Sequence, residues 1–107
     1  MIRHLALFTL NPEIADADRE ALMDRIRGFR RLKCVRRMEL SRLLKPREPW
    51  YVPRMSADFE YLLMIEFEDE DKLYEFQTDR YHLEVGGDLR QHATAVKVMD
   101  FTAGTAG

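Results

Sequence analysis

The sequence predicts an α+β domain of ferredoxin-like type, a four-stranded antiparallel sheet with its helices on one face, and three observations carry that expectation. The chain reads as strand, helix, two strands joined by a loop, helices and strand, which is a split βαβ unit used twice. Residues 1–10 are almost unbroken in their apolar character, as a central strand requires. Residues 59–67 place Tyr61, Leu63, Ile65 and Phe67 on one face and Leu62 and Met64 on the other, so the sheet is apolar on both sides.

Each element has a local reason. Asn11 and Pro12 end the first strand, and Asp16 or Asp18 is placed to cap the next helix with a carboxylate at the positive end of its dipole. That helix runs to about Arg30, with Leu22, Met23, Ile26 and Phe29 on one side and Asp24, Arg25, Arg27 and Gly28 on the other. Residues 34–44 return to an extended pattern whose imperfect alternation suits an edge strand. Pro46, Pro49 and Pro53 make residues 45–58 a long loop, without helix or ladder. Asp69 caps a short helix to about Gln77, and Asp79 caps another from Arg80 to about His92, which Gly86 and Gly87 are expected to break and so shape a pocket mouth. His92 falls at the helix end or surface. Residues 95–101 form the last strand; the domain is expected over 1–102, with 103–107 a loose tail of small residues.

The expected spatial order of strands is last, first, third, second. The first strand then runs antiparallel to the last, which brings Asp100 near His4; Ile2, His4, Ala6 and Phe8 share a face, as do Val96, Val98 and Asp100. His82, Val85, Leu89 and Ala93 fall on one helical stripe, turning His82 inward. The opposite sheet face, with Leu5, Leu7, Leu62, Met64, Met99 and Phe101, has no helix left to cover it. The simplest cover is a second copy packed about a two-fold axis, so a homodimer is expected. Trp50 and Tyr51 are assigned to that contact.

The bulk composition narrows the function classes. At 107 residues, 46% apolar and 34% charged, the chain suits one compact domain. It has no apolar run of roughly 18 residues to span a bilayer and no secretory pattern, so the cytoplasm is the expected location and a membrane partner is not. Cys34, without a cysteine partner, reads as a small buried apolar residue. A formal net charge of −2 gives no pull toward nucleic acid. The basic run of Arg25, Arg27, Arg30, Arg31, Lys33, Arg36 and Arg37 lacks interleaved aromatics and reads as a solvated helix side and turn. His4, His82, Asp79 and Asp100 are metal-ligand types without a His-x-x-x-His or Cys/His spacing, so no metal is expected. Gly86-Gly87 follows no strand and lacks the phosphate-loop pattern.

Several segments, in order, carry a family resemblance. They are the opening Met1-Ile2-Arg3-His4-Leu5-Ala6-Leu7-Phe8, the acidic start of the first helix, Ile65-Glu66-Phe67-Glu68 leading into a helix, the Tyr81-His82 region and the closing Val98-Met99-Asp100-Phe101. Over nearly the whole chain they resemble the stress-responsive A/B barrel (Dabb) family. The resemblance implies a dimeric α+β barrel closed between subunits, with a pocket in each subunit between sheet and helices. In polyketide cyclases of the olivetolic acid cyclase type, a histidine is the base of an intramolecular aldol condensation that uses no cofactor. By resemblance that base corresponds to His82, the strand histidine to His4 and the supporting carboxylate to Asp100. The substrate-binding wall corresponds to Ala6, Phe8, Leu22, Met23, Ile26, Tyr61, Leu63, Ile65 and Val98, with Phe76 at the position of the cyclases' pocket tyrosine. Asp79 and Arg80 replace the first two residues of the family's His-Pro-x-His segment, and Tyr61 and Tyr81 are the candidates for a replacement hydroxyl.

A base for carbon-acid chemistry must be neutral near pH 7, reach the proton and have its tautomer fixed by a partner. His82 oriented by Asp100 is the expected pair, with His4 holding a substrate oxygen. The expected function is a cofactor-free acid/base enzyme acting on an apolar, carbonyl-bearing molecule such as a polyketide-like chain. A ligand-binding or stress-associated dimer without turnover and a cofactorless monooxygenase are the alternatives.

Overall fold

The computed structural model describes residues 1–55 and 57–104. Strand β1 (Ile2–Leu10) leads into helix α1 (Asp16–Arg27), strands β2 (Arg37–Arg42) and β3 (Tyr61–Phe67), helices α2 (Glu70–Thr78) and α3 (Arg80–His92), and strand β4 (Ala93–Thr102). All strand pairs are antiparallel in the order β2-β3-β1-β4, the expected ferredoxin-like topology. Of the expected tail, residues 105–107 lie outside the described residues.

Alternation decides which side of the sheet the helices cover. Ile2, Ala6, Phe8 and Leu10 of β1 and Leu63, Ile65 and Phe67 of β3 are buried against Leu22, Met23 and Ile26 of α1, Leu73 and Phe76 of α2, and Val85 and Leu89 of α3. Phe8, Ile26, Ile65 and Phe67 are fully enclosed, and each such side chain contributes roughly 1.5–3 kcal/mol by leaving water. On the other face Met99 and Phe101 remain 44% and 50% exposed.

The helix ends show where local signals acted and where they were overridden. Asp69 accepts the Lys72 backbone N–H at 3.0 Å, and Asp79 accepts those of Tyr81 at 2.8 Å and His82 at 3.4 Å. At α1, however, neither Asp16 nor Asp18 is the cap. Ala15 holds that position without a side-chain bond, and the two aspartates lie in the first turn, where their charge still favours the helix dipole. The helix ends at Arg27 and tightens into a 3₁₀ turn, Gly28–Arg31. Within residues 34–44 the strand itself is Arg37–Arg42, at the sheet edge as expected, with Arg36 and Leu43 each adding one backbone bond at its ends. The proline-rich loop holds a 3₁₀ turn, Pro49–Arg54, because a proline at a helix start has the required φ and no N–H to lose. Nor do Gly86 and Gly87 break α3. The Asp79 cap and the anchors Val85 and Leu89 carry the helix through them.

α1 and α3 are fastened by a close approach that explains one glycine. The Tyr81 hydroxyl donates to the Arg25 carbonyl oxygen at 2.6 Å, the Tyr81 ring meets Phe29 edge-on at 5.7 Å, and Arg25 pairs with Asp88. A Cβ on Gly28 would collide with the Tyr81 hydroxyl oxygen. Gly28→Ala is therefore expected to lower unfolding free energy by about 1–3 kcal/mol, the cost of displacing a part-buried hydrogen bond. Urea denaturation should show a smaller loss when the same change is made in a Tyr81→Phe background, which has no hydroxyl to displace.

Candidate functional site

A cavity of about 260 Å³ lies between the sheet and the helices. His4 and Ala6 of β1, Leu63 of β3 and Val96 and Val98 of β4 form its floor. Ile26 of α1, Phe29 of the following turn, Phe76 of α2 and His82, Val85, Gly86, Leu89 and Arg90 of α3 form its walls. Its mouth lies where Val98, 53% exposed, and the exposed Arg90 face solvent. A larger depression of about 640 Å³ near Thr9, Arg19, Arg42 and Glu60 has no histidine or cysteine in its lining, and there Glu60 pairs with both Arg19 and Arg42.

Two histidines enter the cavity from opposite layers. His4 is 7% exposed and sits directly opposite Asp100 in the β1–β4 register. Its Nδ1–H donates to Asp100 Oδ1 at 2.5 Å, since a carboxylate only accepts. Phe67 and Phe76 hold the His4 ring edge-on, with centroids at 6.4 and 5.8 Å.

His82 is half-buried, its ring 4.2 Å from that of Phe76. Its Nδ1–H donates to the Gln77 carbonyl oxygen at 3.2 Å. That carbonyl belongs to the last turn of α2, where backbone oxygens have no partner within the helix. The short α2–α3 junction thus serves both ends: Asp79 satisfies the N–H groups of α3, and His82 satisfies a carbonyl of α2. Burial pushes the His82 pKa below its ordinary 6.5; the Gln77 carbonyl opposes the shift, and the neighbouring His4 and Arg90 add to it. At neutral pH the ring is uncharged, with a hydrogen on Nδ1 and a lone pair on Nε2.

The geometry reassigns part of the expected site. Asp100 partners His4, not His82, because β4 lies beside β1; the Gln77 carbonyl orients His82 instead. Ala6, Ile26, Leu63, Phe76 and Val98 line the cavity, whereas Phe8, Leu22, Met23, Tyr61 and Ile65 are buried in the core and are not part of its lining. Phe8 stacks on Tyr61 at 5.2 Å. The Tyr61 hydroxyl accepts from Arg19 at 2.9 Å, and that of Tyr81 is spent on Arg25. Neither lines the cavity. Phe29, Val85, Gly86, Leu89, Arg90 and Val96 join the lining. For Gly86 and Arg90 the legible signal was spacing, four and eight residues beyond His82 on one helix face. Among the described residues, no three or more His, Cys, Asp or Glu side chains are arranged to hold a metal ion, and no helix is long and apolar enough to cross a membrane.

A histidine pair in an apolar cavity between sheet and helices is the arrangement the family resemblance implied, and the family's own pattern matches residues 2–103. The chain belongs to the stress responsive A/B barrel domain family. None of the curated proteins matches the sequence. Solved structures similar to this Dabb chain include a hydroxynitrile lyase from Passiflora edulis, at TM-score 0.85 and 10% identity over 99% of this chain and 95% of that one. A Dabb family protein with a ferredoxin-like fold from Mesorhizobium loti aligns at TM-score 0.76 and 17% identity, over 95% of each chain. A dimeric ferredoxin-like protein from Thermobifida fusca aligns at TM-score 0.75 and 14% identity, over 95% of this chain and 90% of that one. At these identities the shared property is the fold.

The His82 assignment has a titration signature. Followed by NMR, its ring is expected to titrate with a midpoint below 6.5. Because the folded pKa lies below the unfolded one, the unfolded chain binds the extra proton first. Stability is then full above the ordinary pKa and is lost as pH falls from there through the folded value. His82→Gln should remove that part of the pH dependence in denaturation experiments.

Proposed function

We propose that this Dabb protein is a cofactor-free acid/base enzyme that moves a proton on an apolar, carbonyl-bearing small molecule, with His82 as the base. The observation carrying this reading is the fixed tautomer of His82, which leaves a neutral Nε2 lone pair in an apolar cavity. Nε2 removes a proton from a carbon beside a substrate carbonyl. His4, its Nδ1–H held by Asp100, is the polar group of the cavity floor that stands beside the substrate oxygen. In an aldol-type ring closure of a polyketide-like chain, the carbanion adds to a second carbonyl of the same molecule. A C–C bond forms, and the new alkoxide recovers the proton from the His82 imidazolium. That a hydroxynitrile lyase is built on the same fold supports a catalytic use of such a cavity.

A second reading, a ligand-binding dimer without turnover, is favoured by one observation. Phe76 stands where related cyclases carry a tyrosine, and neither the Tyr61 nor the Tyr81 hydroxyl replaces it. Proton exchange separates the readings. Loss of the C3 protons of 2,4-octanedione into deuterium oxide, followed by NMR, should be accelerated by the protein, and His82→Gln should slow the accelerated rate by about 100-fold or more. Full retention of exchange in His82→Gln overturns the assignment.

We further propose a homodimer in the cytoplasm, paired through the sheet face that carries Leu5, Leu7, Leu62, Met64, Met99 and Phe101. Solved relatives of this fold are described as dimeric. Light scattering should give twice the chain mass, and Phe101→Glu, on the exposed apolar face near the end of β4, should shift it toward the monomer.

A further inference from the structure

The cavity wall has one glycine, and its position joins the base to a cation. A Cβ on Gly86 would stand 3.5 Å from Arg90 Nη1 and 4.0 Å from His82 Nε2. The guanidinium and the free imidazole nitrogen therefore flank one patch of bare helix backbone, no further apart than the sum of those distances.

Arg90 has no internal use for its charge. Every acid on α3 and β4 is engaged elsewhere: Glu84 by Arg80, Asp88 by Arg25 and Asp100 by His4. Among the described residues Arg90 forms no ion pair or hydrogen bond with the protein. The polar groups of the cavity lining are then two imidazoles and a guanidinium, with no free carboxylate to oppose them.

We propose that Arg90 is the recognition residue for the carboxylate of an apolar carboxylic acid, whose body lies among Ile26, Phe29, Leu63, Val85 and Leu89. This rests on the cavity being the ligand site. A guanidinium fork matches a carboxylate with two parallel hydrogen bonds, and the missing side chain at position 86 lets the carboxylate lie flat against the helix between the two nitrogens. The volume, about 260 Å³, lies below the roughly 300–1,000 Å³ of drug-sized sites and selects a small acid. An acid held this way carries the atoms next to its carboxylate past His82 Nε2. The substrate class is accordingly a carbonyl acid whose reactive C–H lies near the carboxylate.

Calorimetry with octanoate and 1-octanol at neutral pH tests the assignment without requiring turnover. The wild-type protein should bind octanoate about tenfold or more tighter than the alcohol, the scale of one hydrogen-bonded charge. Arg90→Gln should bring octanoate to the level of octanol while leaving octanol binding unchanged, and Arg90→Lys should keep part of the preference; circular dichroism checks that each variant is folded. Equal binding of acid and alcohol by the wild type, or a preference that survives Arg90→Gln, overturns the role of Arg90 and leaves the cavity standing as an apolar ligand site. Failure of both probes to bind removes the cavity reading and this inference together.

Discussion

The antiparallel register of β1 between β3 and β4 is the constraint on which the rest of the molecule depends. It sets His4 opposite Ile65 on one side and Asp100 on the other. A slip of one residue would turn Ile2, His4, Ala6 and Phe8 outward, exchanging the core face for the outer one. Hydrophobic burial alone opposes that slip, and the histidine reinforces it. A buried imidazole without a partner costs about 1–3 kcal/mol, so a register that brings an acceptor such as Asp100 beside it is favoured. The pair that gives the cavity a polar floor thus also helps to specify the sheet.

The fold was legible because its signals are local and repetitive. Alternation in residues 59–67 and the apolar run of 1–10 give the two central strands, and the aspartates at 69 and 79 mark helix starts that the structure keeps. Signals failed where tertiary contacts outweighed a single residue type: Gly86 and Gly87 stay helical because Val85 and Leu89 anchor their helix. The site was legible in part. The meeting of His4 and Asp100 follows from counting along two strands, and the inward turn of His82 from counting along a helix. The partner of His82 is a backbone carbonyl, and a carbonyl carries no residue type to read. Cavity wall and deep core are likewise both apolar, and only packing shows that Ile65 and Leu22 lie behind the surface while Leu89 reaches it.

The outer sheet face combines apolar exposure with one ordered charge ladder. Glu66 stands between Arg3 and Arg37, its direct partners across two strands, at 3.3 and 3.2 Å. The Arg37 guanidinium holds the Glu66 carboxyl below the usual range, with burial opposing and Arg3 adding to the effect. Next to Leu5 and Met64, this ladder satisfies its own charges within the sheet. A surface laid over it meets paired charges beside Leu5 and Met64, and the exposed cation of Lys97 opposite Leu7.

The fastening of α1 to α3 through Tyr81, Arg25 and Asp88 has a kinetic meaning. It fixes two walls of the cavity to one another, while the mouth opens on the free edge of β4, where Val98 faces solvent. For the ligand proposed above, entry across that edge would leave the α1–α3 fastening intact, so its dwell time would follow from the contacts it makes inside.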